Sequence, residues 1–250
     1  MNDSNQIKVS VIAGIYNPPE KLFKQYLEAC LNSTIVGCEF ILVQDNPFDD
    51  ISNKILADFE TKFKNNKNKF IILRNEKNLG IIPTYNIGMK YATGEYLAFF
   101  DTDDYFDLDF LEKMYDYAHA NDIDVLSGYS ITHFCTANID ESLNFMESMN
   151  DDIWVNLFKR SAMVDNFVPY FDDPRIVLNN IKRVMLPRID RFPMEECTFY
   201  HYIRHDNNIS KYTDEDMVEC VNDRIKDMHS DLDTLSYQCS FILSKGASNV

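Results

Sequence analysis

Positive charge is scarce in this 250-residue chain: 24 lysines and arginines stand against 40 aspartates and glutamates, a formal net charge of −16. So acidic a balance argues against nucleic acid or an anionic membrane as the main partner. No apolar run approaches spanning length, so no transmembrane segment is expected. The six cysteines (30, 38, 135, 197, 220 and 239) show no CxxC spacing. With no signal-peptide pattern at the amino terminus, they are expected to be reduced, mostly buried thiols in a cytosolic protein. A glycine-rich basic loop of the nucleotidyltransferase kind is also absent. What remains is a composition 45% hydrophobic and 13% aromatic, long enough for one large domain or two small ones around a substantial core.

The most informative stretch is Gly94–Asp104. Tyr96 to Phe100 is an aromatic-rich apolar run suited to a strand buried on both faces, and it stops at Asp101, Asp103 and Asp104. Three carboxylates in four residues repel one another unless a cation compensates them. An all-oxygen ligand set suits magnesium or manganese, which commonly bridge carboxylates to phosphates. An EF-hand is excluded: Asp101, Asp103, Asp109 and Glu112 have its spacing, but Tyr105 and Phe106 occupy its fifth and sixth positions. A solvated acidic turn leading into the helix that begins near Asp109 is the plainer alternative.

In chain order, Val9–Ile15 reads as a buried strand that ends at Tyr16-Asn17-Pro18-Pro19, with a helix to about Ser33. Glu39–Val43 is a second strand, ending at Gln44-Asp45. Ile51, Ile55, Phe59 and Phe63 step by four along a helix. Phe70–Leu73 is a third strand, Asn75–Gly80 a polar loop, and Pro83–Ala92 a helix before the aromatic strand. A helix over Asp109–Ala120 and a fifth apolar run, Val125–Tyr129, follow. Strands alternating with helices predict a parallel, right-handed αβα sandwich. Tyr16-Asn17, Asp45, Asn78 and the acid run then fall together on the carboxyl rim, where open α/β sheets bind ligands.

The ordered set Val9–Asn17, Ile41–Asp45, Asn78-Leu79-Gly80, Asn86-Ile87-Gly88, Ala92–Tyr96 and Asp101–Asp104 resembles the GT-A glycosyltransferases of family 2. Trp154–Arg160 and Tyr200–Ser210 extend the resemblance over roughly residues 7 to 212. It implies a GT-A-like α/β fold, mostly parallel in its central sheet, and an inverting, metal-assisted hexosyl or N-acetylhexosaminyl transferase. Such an enzyme moves sugar from a nucleotide diphosphate, most often UDP, to a hydroxyl of a carbohydrate or glycan acceptor. By that resemblance Tyr16 and Asp45 contact the base, and Asn17, Asn78, Gly80 and Asn86 complete the donor site. Asp101 lies near ribose or sugar, Asp103 with Asp101 holds Mn2+ or Mg2+, and Arg204 and His205 bring positive charge to the diphosphate. Asp104 is expected to turn away. There are departures: Gln44 replaces an acid, and Tyr85 stands where many members carry arginine, so one cationic contact is missing.

The resemblance also implies a general base in an acid pair, for which Asp172-Asp173 is the best match and Glu195-Glu196 the rival. Asp172-Asp173 before Pro174 also reads as an ordinary helix cap. Trp154 reads either as a platform for an acceptor sugar or as a core residue. After residue 212 the domain is expected to give way to a helical tail over 213–250. Its apolar stripe from Met217 to Ile242 suits packing on the domain or on a second copy. A cytoplasmic protein peripheral to membrane-bound glycan assembly is the expected setting. A non-catalytic sugar-nucleotide binder or assembly subunit on the same fold is the alternative from another class.

Overall fold

The structure is a computed structural model and describes residues 6–134, 144–147, 153–166, 189–193, 196 and 198–205. The chain divides into two compact units, 1–204 and 205–250, and the second enters the described residues only as His205. The expected tail helix and the acid pair Asp172-Asp173 lie outside the described residues.

Strand β1 (Val9–Ile15) is apolar at nearly every position and takes the centre of the main sheet. It pairs in parallel with β2 (Cys38–Gln44) on one side and β4 (Tyr96–Asp101) on the other. Beyond β2 lies β3 (Lys69–Arg74), parallel again. Continuous apolar runs are what a sheet covered on both faces requires. Helix α3 (Ile81–Tyr91) packs on β1 and β2, α2 (Asp50–Lys64) on β3 and against α1 (Glu20–Asn32), and α4 (Phe110–Ala120) on the segments Val125–Ser127 and Asn156–Lys159. Helix α1 buries Phe23, Tyr26, Leu27 and Cys30. Burial pushes the Cys30 and Cys38 thiols up, away from the reactive thiolate.

Two details differ from expectation. In α2, Ile51 is 54% exposed while Ser52, Ile55, Phe59 and Phe63 are buried. Residues four apart drift by about 40° per step on a helix of 3.6 residues per turn, so the first member of the stripe leaves the core face. The fifth apolar run is not one strand. It breaks at Gly128 into β6 (Val125–Ser127) of the main sheet and β7 (Tyr129–Phe134) of a second sheet. At the break a Cβ would lie 3.1 Å from the Val155 carbonyl and 3.2 Å from Met114 and Phe110 side chains, leaving little room for a larger residue. As the family resemblance implies, the main sheet is mostly parallel. Strand β9 (Asn156–Lys159), following a 3-10 turn at Ile153–Val155, inserts antiparallel between β4 and β6.

The seven described strands of the main sheet run β10 (Ile189–Arg191), β6, β9, β4, β1, β2, β3. A smaller sheet has the order β5 (Tyr105–Phe106), β11 (Phe199–Arg204), β7, β8 (Asn144–Glu147). The two meet where β4 ends and β5 begins, which is the acid run. Among the described residues no helix is long and apolar enough to cross a membrane.

Candidate donor and metal site

Parallel pairing sends the carboxyl ends of β1, β2, β3 and β4 to one rim, and short hydrogen bonds extend the strands into the loops. The Asp45 amide donates to the Ile15 carbonyl at 2.9 Å, and the Asn75 amide to the Gln44 carbonyl at 2.9 Å. The Thr102 hydroxyl donates to the Gly14 carbonyl at 3.1 Å. Tyr16-Asn17, Asp45, Asn78–Gly80 and the acid run therefore belong to one connected rim, as the strand order anticipates.

Asp45 is 4% exposed. Its Oδ1 accepts from Asn75 Nδ2 and the Leu79 amide, both at 2.8 Å, and its Oδ2 from the Gly80 amide at 2.9 Å. The Gly80 amide also meets Asn78 Oδ1 at 2.8 Å, with Gly80 at φ 85°, a left-handed conformation that favours glycine. Asp45 thus moulds the loop that opens α3, and of about four lone-pair sites on a carboxylate three are taken. Tyr16 is 52% exposed beside Asn17, which adopts φ 48° and accepts from Asn46 Nδ2 at 2.8 Å. Asn86 is buried on α3.

The acid run has a different environment. Single carboxylate oxygens of Asp101, Asp103 and Asp104 lie within 4.8 Å of one another. Asp101 and Asp103 are half-buried, whereas Asp104 is 1% exposed. Asp104 does not turn away: β11 holds it in the cluster, with the Ile203 amide donating at 2.7 Å and the Tyr200 hydroxyl at 2.9 Å. Tyr200 also accepts from the Asp101 amide at 3.2 Å, and the Tyr85 hydroxyl donates to Asp101 at 3.1 Å. Burial first, then the charges of Asp103 and Asp101, push the Asp104 carboxyl well above the usual range. Burial and neighbouring carboxylates likewise keep the Tyr85 and Tyr200 hydroxyls protonated. All three acids offer hard oxygen donors close enough to share one divalent ion, so the residues fit magnesium or manganese.

Trp154 is half-buried and lies in an aromatic stack, 5.0 Å from the Tyr200 ring and 5.0 Å from the Tyr202 ring. The Arg204 guanidinium lies 5.4 Å from the same Tyr202 ring. Trp154 is thus packed against two rings yet only half-buried, and neither the core reading nor the acceptor-platform reading is excluded. Of the rival acid pair, Glu196 is exposed and Glu195 lies outside the described residues. Tyr85 and Tyr200 were not legible as site residues. Tyr85 registered only as a missing arginine and Tyr200 only as an aromatic. Nothing local shows that a tyrosine hydroxyl will reach an aspartate about a hundred residues away.

Residues 10–180 match the family described as glycosyl transferase family 2. An uncharacterised glycosyltransferase of Methanocaldococcus jannaschii is 34% identical over 145 residues, 58% of this chain and 47% of that protein. The chain spans about half the length of that relative. Among solved structures, residues 1–349 of S. aureus TarS in complex with UDP-GlcNAc align with a TM-score of 0.61 at 19% identity, over 82% of this chain and 62% of that one. The mannosyltransferase PcManGT of Pyrobaculum calidifontis, in complex with GDP-Man and Mn2+, aligns at 0.62 and 12% identity, over 81% and 59%. At such identities these two likenesses concern the fold.

Proposed function

Since the chain belongs to glycosyl transferase family 2, we propose that it transfers a sugar from a UDP-sugar to an acceptor hydroxyl, with inversion and with help from a divalent ion. The observation that carries this reading is the cluster of Asp101, Asp103 and Asp104 within 4.8 Å on the carboxyl rim of the sheet. The UDP-GlcNAc bound by TarS and the GDP-Man and Mn2+ bound by PcManGT support a nucleotide-sugar donor and a metal.

In this reading Asp101 and Asp103 hold the ion, and the buried Asp104, fixed by Tyr200 and the Ile203 amide, lies behind them. When bound, the ion neutralises charge that develops on the leaving diphosphate. Tyr85 orients Asp101 through a neutral hydroxyl, where many family members carry arginine. Arg204 and His205 are the candidates for positive charge toward the diphosphate, and Tyr16 offers an exposed ring to the base. The remaining lone pair of Asp45 is the candidate acceptor for the uracil imide. Asp173, oriented by Asp172, is the proposed general base, and the acceptor is a carbohydrate or glycan.

Calorimetric titration of UDP with Mn2+, and again with chelator, tests the donor reading. Affinity should rise at least tenfold with the ion, and equal affinities would remove the metal from the proposal. Loss of a positioned base costs about 10²–10⁴ in rate. Asp173→Asn should therefore keep metal-dependent UDP binding while transfer to a glycan acceptor collapses. If Asp172→Asn is the dead variant instead, the roles within the pair are exchanged.

A further inference from the structure

Five aspartates (101, 103, 104, 107 and 109) crowd into nine residues, yet the strand that follows the metal acids is very short. Strand β5 is two residues long and pairs with β11 only through Tyr200–Phe106 and His201–Tyr105. A ladder of that length is marginal by itself. Asp107 and the side chains around it reinforce the junction. Asp107 Oδ2 accepts from the Phe199 amide at 3.0 Å, while the Asp107 amide donates to the Phe199 carbonyl at 2.9 Å. Asp107 Oδ1 lies 3.0 Å from His201 Nε2, and His201 Nδ1 lies 2.8 Å from His133 Nε2 on β7. The Tyr105 ring stacks on His201 at 4.2 Å and 5°.

The chain of groups has a direction. An ionised carboxylate only accepts, so His201 carries its proton on Nε2 and, when neutral, offers Nδ1 to a proton on His133. Strand β11 already pairs in parallel with β7 along Phe199–Arg204, and this chain of side chains ties the two-residue β5 to that pair. The same short stretch of β11 presents the partners of the acid pocket: the Tyr200 hydroxyl donates to Asp104 and accepts from the Asp101 amide, and the Ile203 amide donates to Asp104. A slip of β11 against β5 would withdraw those partners together.

We propose that Asp107, His201 and His133 are positioning residues for the Asp101–Asp103 pocket, locking β5 to β11 so that Tyr200 and Ile203 hold the acids in ligand geometry. This rests on the donor reading above. Groups behind metal ligands commonly control affinity by about 10–100-fold. His201→Phe keeps a ring for Tyr105 but removes both hydrogen bonds, and Asp107→Asn keeps the size but places an N–H group against a donor.

Three readouts on the full chain test the lock. Mn2+-dependent UDP binding by calorimetry should weaken at least tenfold in both variants, while metal-free UMP binding stays within twofold. Trp154, the one tryptophan in the sequence, stacks on Tyr200 and Tyr202, so its emission should shift in the unliganded variants. Should Asp107→Asn fail to fold, His133→Asn supplies a milder break, with a smaller loss in the same direction. Equal losses for UMP and Mn2+–UDP would make the cluster merely structural, and unchanged Mn2+–UDP affinity would overturn the proposal. If wild type shows no metal-dependent UDP binding, the donor reading fails. The lock is then judged by Mn2+ alone, using paramagnetic resonance. Equal Mn2+ binding by wild type and His201→Phe, or none by either, would overturn it.

Discussion

Two buried carboxylates on the same rim have opposite surroundings. Asp45 meets three N–H donors, two of them backbone amides from the loop it organises. Asp104 meets one amide and one tyrosine hydroxyl beside two further acids, and its carboxyl is pushed up by burial and by those neighbours. A carboxylate ringed by N–H groups has most of its hydrogen-bonding capacity met within the protein. One crowded by its own kind is held in a state that added positive charge relieves. The contrast separates the carboxylate that shapes the rim from the one in the acid cluster, where the proposed ion would sit.

Removing Asp45 should give the largest effect on folding. Asp45→Ala leaves Asn75 Nδ2 and the Leu79 and Gly80 amides without that acceptor, at a cost of about 3 kcal/mol. Chemical denaturation measures this, and UDP and UMP affinity should fall by a similar factor. Loss confined to UDP would place Asp45 with the acid cluster and erase the contrast.

Asp103→Asn should act almost wholly on the ligand, lowering Mn2+-dependent UDP affinity by about 100-fold, ~2.7 kcal/mol, with little change in melting temperature. Asp104→Asn should lose less affinity, because its oxygens already face Ile203 and Tyr200. A reversal of that order in calorimetry would make Asp104 the principal ligand.

The tyrosine hydroxyls offer a finer cut. Tyr200→Phe removes a donor to a fully buried carboxyl, and should destabilise by about 1–2 kcal/mol. Tyr85→Phe, facing the half-buried Asp101, should cost about 1 kcal/mol or less. Equal costs in thermal or urea melts would mean that burial does not distinguish the two acids.

The smallest expected effect concerns pH. A carboxyl whose folded pKa is raised binds its proton more tightly when folded. The stability it contributes is therefore present below the unfolded value of about 3.9 and is lost as pH rises through the folded value. Without metal, the chain should lose this increment above about pH 4, and Asp104→Asn should flatten that part of the profile. Added Mn2+ should offset the loss by favouring the anion. A profile identical in wild type and variant would show that Asp104 does not titrate in that range.

The amino-terminal half of the fold was legible because its signals are local. Apolar runs such as Val9–Ile15 and Tyr96–Phe100, helical spacing such as Ile55, Phe59 and Phe63, and polar breaks after each strand lie within a few residues of one another. From them follow the alternation of strand and helix, the parallel order of β1 to β4, and a rim carrying Tyr16, Asp45, Asn78 and Asp101. The ordered motifs placed the chain in its family, and the crowding of Asp101, Asp103 and Asp104 was evident from sequence alone.

Only the tertiary structure decided how those acids are held. The donors to Asp104 come from residues 96 and 99 positions away, and no periodicity links Tyr85 to Asp101 or His133 to His201. Gly128 stands at the break between β6 and β7, where Val155, Met114 and Phe110 leave little room for a side chain, and β9 runs antiparallel between two strands that precede it in the chain. A strand's existence depends on neighbours in sequence. Its partners, and the hydroxyl that meets a buried carboxylate, depend on which distant segments the closed core brings together.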